Sequence, residues 1–390
     1  MLPITKSLKE RFYSLDVFRG ATVCLMILVN NPGSWSYIYP PLKHAPWHGL
    51  TPTDLVFPFF LFAVGNALSF VMPRLEAGGD ALFWKKVLKR SILIFAIGLF
   101  LTWWPFITKG DDGFVFKQWA YINDEGNLRG VRILGVLARI ALCYFFGAII
   151  IYYLKPKGSL YVGILLLLVY WGLCYLFGNP ADPYSMTGWF GNDVDKAILG
   201  EAHMYRGEGI LFDPEGIMST IPAMVNVIFG YLAGNYIQQK GKNYEMLAGL
   251  FVAGVGMLII GYCWDLVFPI NKKIWTSSYT VYTSGLALLT IATMIYLIEF
   301  KNKKGVLSKF FDVFGKNALF VFALSAFLPK GLALIKFSDG SNPWNWIYKN
   351  GFSKLSSDPR FGSFLFALCV ILFMWLICWW MDKKKIYIKV

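Results

Sequence analysis

Apolar runs close to the ~20 residues that cross a bilayer as a helix recur along the whole chain of 390 residues. Inside a bilayer no water is at hand for backbone N–H and C=O groups, so each run must satisfy its own hydrogen bonds. Spans are expected near 15–31, 55–72, 87–106, 133–153, 160–177, 217–237, 247–268, 279–298, 313–332 and 362–381. The expected fold is all-α, a polytopic membrane helix bundle of about ten transmembrane helices, read as a single domain over residues 1–390. Composition agrees: charged residues make up 15% of the chain, well below the ~25% usual for soluble domains, and 56% are hydrophobic. The six cysteines all fall inside the apolar runs, where cysteine behaves as a small hydrophobe, so neither disulfides nor a metal site are inferred.

A net charge of +14 would suggest nucleic acid as the partner of a soluble protein. In a membrane protein it reports positive-inside loops and anionic headgroups, so the lipid bilayer is the expected partner and nucleic acid is not. An even number of spans puts both termini on one side. The loops of that side carry Arg74, Lys85, Lys86, Lys89, Arg90, Lys155, Lys157, Lys240, Lys242, Lys301, Lys303, Lys304 and the Lys383-Lys384-Lys385 tail, with few acids among them. The opposite loops are close to balance. The termini are therefore expected to be cytoplasmic, with loops 107–132, 178–216, 333–361 and the one bearing His44 facing outward. The expected location is a bacterial inner membrane. The basic segment Met1 to Lys9 lacks the apolar core and cleavage site of a signal peptide.

The residues that bear chemistry stand out against this apolar ground. Asp54 opens an apolar run, a costly place for a carboxylate unless it is solvated or paired. His44, ten residues upstream, is a plausible partner, and histidine exchanges protons near neutral pH. With Trp47 and His48 between them, the stretch reads as an active-site loop leading into a membrane helix. Asp16 and Arg19, three apart, share a helix face and pair, either as structure or as part of a substrate site. The first span ends at Asn30-Asn31-Pro32-Gly33, where Asn30 either donates to a reacting carbonyl or caps the helix. Arg132 and Arg139 are two turns apart, with Arg139 ~10 Å deeper, and two guanidinium groups on one face suit a phosphate-bearing ligand. Asp213-Pro214-Glu215 has the form of a helix start with Asp213 as cap, and its positive end also suits a substrate anion. The turn Asn271-Lys272-Lys273-Ile274-Trp275-Thr276-Ser277-Ser278-Tyr279 is cationic, aromatic and rich in hydroxyls, and reads as ligand-binding. Asp193 and Asp195 have a calcium-like spacing, but the other ligands of such a loop are missing. Lys316 is a further intramembrane cation, and the spacing of Gly230 and Gly234 suits helix packing.

Taken together, these motifs resemble the heparan-alpha-glucosaminide N-acetyltransferase family of transmembrane acyltransferases. The matching pieces are Ser14-Leu15-Asp16-Val17-Phe18-Arg19-Gly20, Asn30, His44-Ala45-Pro46-Trp47-His48-Gly49-Leu50-Thr51, Asp54-Leu55-Val56-Phe57-Pro58, Arg132 to Arg139, Asp213-Pro214-Glu215-Gly216 and Asn271 to Tyr279, in the family's order. The chain begins at the catalytic part, like the bacterial members, whereas lysosomal relatives carry an extra luminal region. The resemblance implies transfer of an acetyl group from acetyl-CoA to an amino sugar of glucosamine type on the outer side of the membrane, with His44 as the family's catalytic histidine. An amine attacks a thioester only when unprotonated, so a base with a pKa of ~6.5 suits the task. On this reading His44, Asp54 and Asn30 are catalytic, with Asp54 fixing the tautomer and Asn30 meeting the oxyanion. Arg132, Arg139, Lys272, Lys273, Trp275 and Ser277 hold acetyl-CoA, while Asp16, Arg19, Trp47, Asp213 and Glu215 contact the substrate. No metal is called for. A two-step route through acetyl-His44 is chemically open as well. Acetyl-CoA is cytosolic while the Lys272 turn faces outward. Either the cofactor threads deep into the bundle, or other residues hold its phosphates. Two other readings stand beside this one, a sugar transporter or permease and an O-acetyltransferase of a surface polysaccharide. Pairing of two copies into a homodimer is left open.

Overall fold

A computed structural model gives the structure of residues 12–110, 113–123 and 126–388. The basic residues Lys6, Lys9, Arg11 and Lys389 lie outside them. The apolar runs fold as helices: α1 (Tyr13–Asn30), α2 (Val56–Ala77), α3 (Gly79–Trp103), α4 (Val136–Phe177), α5 (Gly191–Leu199), α6 (Ile217–Lys240), α7 (Tyr244–Asp265), α8 (Ser277–Ile295), α9 (Val306–Lys316), α10 (Ala318–Leu332), α11 (Pro343–Asn350) and α12 (Pro359–Lys383). Seven helices are long and apolar enough to cross a membrane, or eight if α9 and α10, bent by 79°, form one span. The expectation of an all-α polytopic bundle holds.

The expected count of about ten differs from this at two places. α3 starts well before residue 87 and carries Lys85, Lys86, Lys89 and Arg90 on helical turns that charge alone would assign to a loop. α4 is broken at its middle, where Lys155 adopts φ 58° and ψ 177° just before Pro156 and the chain doubles back, so it holds the two expected spans 133–153 and 160–177 in one element. Gly147 and Gly163 would lie ~24 Å apart on a straight helix. Yet a methyl group at Gly147 would meet Val227 at 3.2 Å, and one at Gly163 would meet Val225 at 3.4 Å, neighbouring positions of α6. The two halves of α4 therefore lie side by side. The 107–132 loop also contains two antiparallel hairpins, β1 (Ile107–Gly110) with β2 (Gly113–Phe116) and β3 (Ala120–Ile122) with β4 (Leu128–Gly130).

Between helices in lipid there is little hydrophobic drive to associate, so close backbone approach at small residues does much of the packing. A Cβ at Gly65 would lie 1.9 Å from Val227 O, and one at Gly230 would lie 2.0 Å from Phe62 O, so α2 and α6 cross with their backbones in contact. Gly234 packs the same way against Ser69, as its spacing from Gly230 suggested. Gly20 against Phe311 O and Gly315 against Asp16 O form a second such crossing, of α1 with α9.

The connections gather at two ends. At one, Gly49 N–H donates to Ile270 O (2.8 Å), Ile133 N–H to His203 O (3.2 Å) and Ser34 N–H to Ser363 Oγ (3.0 Å), knitting the long loops together. At the other, near the termini, short turns are tied by Tyr152 to Asp80 (2.7 Å), Lys155 to Glu76 (3.0 Å) and Lys240 to Glu245 (2.5 Å). Substituting Gly65→Ala should force the α2–α6 crossing apart and cost roughly 1–3 kcal/mol, the usual range for overpacking. Thermal unfolding in detergent reads this, with Gly172→Ala, which meets nothing within 4 Å, as the control expected to leave Tm in place.

Candidate active site

The loop after α1 returns to the bundle through a short 3-10 turn, Pro52–Leu55, which runs into α2. Thr51 caps that turn. Its N–H (3.0 Å) and hydroxyl (2.9 Å) both reach Asp54 Oδ2, which also accepts from Ala45 N–H (3.0 Å). The other oxygen, Oδ1, lies 2.6 Å from His44 Nδ1. Asp54 is only 1% exposed, so an ionised carboxylate there depends on these partners. Tyr279 on α8 locks the same residue from behind by donating to Asp54 O at 2.5 Å. An acceptor-only carboxylate at Nδ1 fixes the neutral imidazole with its proton on Nδ1, leaving Nε2 with a free lone pair.

Lys272, in the turn before α8, covers this imidazole. Its Nζ is 3.0 Å from His44 Nδ1 and 3.2 Å from Nε2. An atom in the ring plane at near-equal distance from both nitrogens would collide with the carbon between them, so the ammonium lies against the ring face. It is also 3.8 Å from Asp54 Oδ1. Burial holds the Lys272 pKa below its ordinary value, although Asp54 and Glu215 pull the other way. Lys273 pairs with Glu208 and donates to Pro46 O (2.9 Å), strapping the 205–210 segment to the histidine loop.

A cavity of about 260 Å³ opens at His44. Its polar wall holds Asn30, His44, Asp54, Arg132, Glu208, Glu215, Lys272 and Lys273; its apolar wall includes Met26, Phe57, Phe60, Ile140 and Phe322. Asn30, at the end of α1, makes no hydrogen bond among the described residues and faces this space. His44, Asp54, Asn30, Arg132, Lys272, Lys273 and Glu215 are thus brought together as the sequence suggested. Glu208 is not marked by the sequence, and Thr51 and Tyr279 stand in the motifs it singles out without a role of their own. Glu208 sits in an undistinguished loop, while Thr51-Pro52-Thr53-Asp54 does have the form of a capping box.

Other expected site residues are engaged within the protein, in the cavity wall or away from it. Arg132 is held by Asp213 through Nε (3.0 Å) and Nη2 (2.5 Å), and by Glu215, with its guanidinium 4.5 Å from the Tyr205 ring. Two carboxylates already neutralise it, so it is poorly placed for a phosphate. Burial would raise the Glu215 pKa, but Arg132, Arg139 and Lys272 outweigh it and hold the carboxyl below its usual range. Arg139 is fully buried, donating to Gly216 O (3.0 Å) and Ser219 Oγ, with its guanidinium 5.2 Å from the Trp275 ring. Trp275 and Ser277 are buried too, bonded to Asn226 Oδ1 (3.0 Å) and Leu167 O (2.8 Å). Arg139, Trp275 and Ser277 do not line the cavity. Trp47 turns away, donating to Tyr184 O (2.9 Å) and packing on Phe212. His48 sits 3.3 Å from Asn271 Nδ2, outside the cavity, and burial lowers its pKa. Asp213 does not cap α6; Asp195 does so from α5, with Oδ1 accepting from Ile217 N–H at 2.7 Å.

Asp16 and Arg19 pair at 2.7 Å near the other end of α1, and Arg19 also donates to Gly315 O (2.8 Å). There Arg19 lines a second cavity, of about 290 Å³, with Arg90, Lys316 and Tyr144. Lys316 is matched by Asp312 (2.7 Å) and Asp382 (3.1 Å). Arg90 has no ion pair among the described residues; its guanidinium lies 4.8 Å from the Tyr144 ring, and its buried Nε has no hydrogen-bond partner. Phe60 and Ile140 line both cavities, which meet there.

Residues 11–200, which hold His44, Asp54 and the α1 and α2 walls of both cavities, match the family model described as heparan-alpha-glucosaminide N-acetyltransferase, catalytic. Over those residues the chain is similar to that family. The human heparan-alpha-glucosaminide N-acetyltransferase is 26% identical over 349 residues, covering 76% of this chain and 50% of that protein. The mouse protein of the same name is 24% identical over 439 residues, covering 99% of this chain and 61% of its own length. The chain thus spans half to three-fifths of the curated relatives it matches.

The Asp195 carboxyl offers a pH test of this end of the bundle. Burial pushes its pKa up to about 7, against the pull of Ile217 N–H, and its Oδ2 has no partner. The proton is bound more tightly in the folded chain than in the unfolded one. The folded state is therefore favoured below about pH 4 and loses that advantage as pH rises through about 7. Asp195→Asn, which keeps an oxygen for Ile217, should gain in Tm over the wild type as pH is raised from about 5 to about 8. A difference that stays constant with pH would show that Asp195 does not titrate in this range.

Proposed function

We propose that this membrane protein transfers the acetyl group of acetyl-CoA to the amine of a glucosamine-type sugar, with His44 as general base. The observation that carries the reading is the His44–Asp54 pair at the mouth of a cavity, in a chain related to N-acetyltransferases. Nε2 of His44 takes a proton from the acceptor amine as its nitrogen attacks the thioester carbon. Asp54 stabilises the imidazolium that results and keeps the ring from turning. The Asn30 amide is free to donate to the oxyanion of the tetrahedral intermediate. Collapse forms the amide and breaks the C–S bond, and the imidazolium returns its proton to the leaving thiolate. Glu208 and Glu215 line the acceptor side already paired, with Lys273 and Arg132, so a polar sugar meets hydrogen-bonding groups there rather than a net negative charge. Lys272 must leave the face of His44 for this to happen, and its depressed pKa eases that step.

The donor is read as entering from the end that holds the termini, which its excess of Lys and Arg marks as cytoplasmic. Arg90 presents an unpaired guanidinium there, and Phe60 and Ile140 lie between that cavity and His44. This replaces the assignment of the phosphates to Arg132, Arg139 and Lys272 or Lys273, and it removes the conflict between a cytosolic donor and an outward-facing base. Acceptor and product then stay on the side of the long loops.

His44→Ala should lower transfer on the order of a hundredfold to ten-thousandfold while acetyl-CoA still binds, and His48→Ala should keep most activity. Acetyl-CoA and glucosamine supplied on opposite faces of proteoliposomes provide the assay. Full activity of His44→Ala would overturn the mechanism. Arg90→Gln should weaken acetyl-CoA binding about tenfold or more, the worth of a charge-assisted hydrogen bond. Normal binding by Arg90→Gln alongside a loss in a folded Arg132→Gln would place the phosphates back at the outward end.

A further inference from the structure

The cations that line the His44 cavity are answered unevenly. Arg132 is held by Asp213 and Glu215, and Lys273 by Glu208. Lys272 has only Asp54 Oδ1, at 3.8 Å, among the described residues, and that carboxylate already meets His44 at 2.6 Å and accepts from Ala45 and Thr51. Burial is the largest influence on the Lys272 ammonium and favours its neutral form, as does Lys273; Asp54, Glu215 and Glu208 favour the charged form without prevailing. A lysine so placed is a neutral amine more often than one in water, and a neutral amine is a nucleophile.

Its position matters as much as its charge. A base takes a proton from an attacking nitrogen across about 2.6–3.2 Å. Lys272 Nζ is 3.2 Å from His44 Nε2, so it already stands where the amine of an acceptor has to come. Both side chains line the same cavity. The backbone beneath them is tied down, with Trp275 N–H donating to Lys272 O (3.2 Å) and Lys273 Nζ to Pro46 O (2.9 Å). The four-carbon stem is flexible, so rotation about its bonds carries Nζ from the ring face to the edge at Nε2 while the turn stays in place. In an empty cavity the amine nearest the base is therefore one of the protein's own.

We propose that Lys272 is itself an acetyl acceptor, converted to Nε-acetyllysine by acetyl-CoA and His44 when no sugar occupies the cavity. The proposal rests on the acetyl-transfer reading of His44. Neutral Nζ attacks the thioester carbon, His44 Nε2 takes a proton from the attacking nitrogen, the C–S bond breaks, and that proton passes to the thiolate of coenzyme A. The product is uncharged and carries its acetamide in the place of the acceptor amine, so the modified chain is expected to be inactive in transfer.

The full chain in detergent, incubated with acetyl-CoA with or without glucosamine and read by peptide mass spectrometry, tests this. Without the sugar, Lys272 should be acetylated on the order of a hundredfold faster than Lys43, an exposed lysine of the histidine loop. Transfer assayed after such incubation should fall in step with that acetylation. Saturating glucosamine should slow the modification about tenfold or more, and His44→Ala should bring it to the level of Lys43. The glucosamine arm needs no variant, so it decides the matter even if His44→Ala does not fold. Transfer to glucosamine by a chain whose Lys272 is no more acetylated than Lys43 would overturn the proposal and leave the transfer reading standing. So would acetylation of Lys272 that glucosamine does not slow or that a folded His44→Ala retains, since the site would then play no part in it. Absence of both transfer and modification would overturn the two readings together.

Discussion

A carboxylate at the mouth of an apolar helix is stable only when its charge is shared out, and Asp54 shares it among His44 Nδ1, Ala45 N–H, Thr51 N–H and the Thr51 hydroxyl. Those donors come from the loop between α1 and α2. The same contacts that satisfy the charge therefore shape the loop, cap the turn into α2 and aim the imidazole at the cavity. Removing the carboxylate would cost the site its tautomer and its backbone geometry together. Tyr279 ties this arrangement to α8, and the Lys272 turn that precedes α8 closes over the ring, so two segments far apart in the chain converge on one site.

The charges around His44 are nearly all answered within the chain. Arg132 meets Asp213 and Glu215, Lys273 meets Glu208, and Lys272 lies near Asp54. A cavity so balanced suits a polar acceptor that trades one set of hydrogen bonds for another. It suits a multiply charged phosphate group poorly, because freeing a buried guanidinium from two carboxylates is costly. Arg139 shows the other use of a buried cation. Its bonds to Gly216 O and Ser219 tie the inner half of α4 to the start of α6, with Trp275 packed over the guanidinium.

The sequence was most legible where physics is local. Apolar length marked the helices, the Gly230–Gly234 spacing marked a real backbone contact, and Asp54 in apolar surroundings marked its own need for a partner. What escaped depended on contacts between distant segments. Arg132 and Arg139 do share a helical spacing, but α6 and the loop before it engage each in a different way, which no spacing within α4 could show. The Asp213-Pro214-Glu215 segment has the composition of a helix start, yet Arg132 draws Asp213 aside and Asp195, from another helix, takes the capping role. The charged turns of α3 look like a loop because hydropathy does not register a helix that leaves the bilayer with its hydrogen bonds intact. Arg90 drew attention only as one member of a basic cluster, and its lack of a counter-ion is visible only once its neighbours are placed.

A donor that carries its charge at one end and its thioester at the other needs an elongated site whose two ends differ in polarity. α1 alone supplies both ends, with Arg19 in one cavity and Asn30 in the other, ~16 Å apart along the helix. Between them the residues common to both cavities are Phe60 and Ile140. Side chains change rotamer far faster than packed helices slide, and α2 is held against α6 at Gly65 and Gly230 with no slack for sliding. Under the proposed reading, a passage through this bundle is therefore opened by two side chains turning aside. The loop of His44 and the turn of Asp54 can stay fixed on α2 while it happens, which keeps the base aligned whether or not the donor is in place.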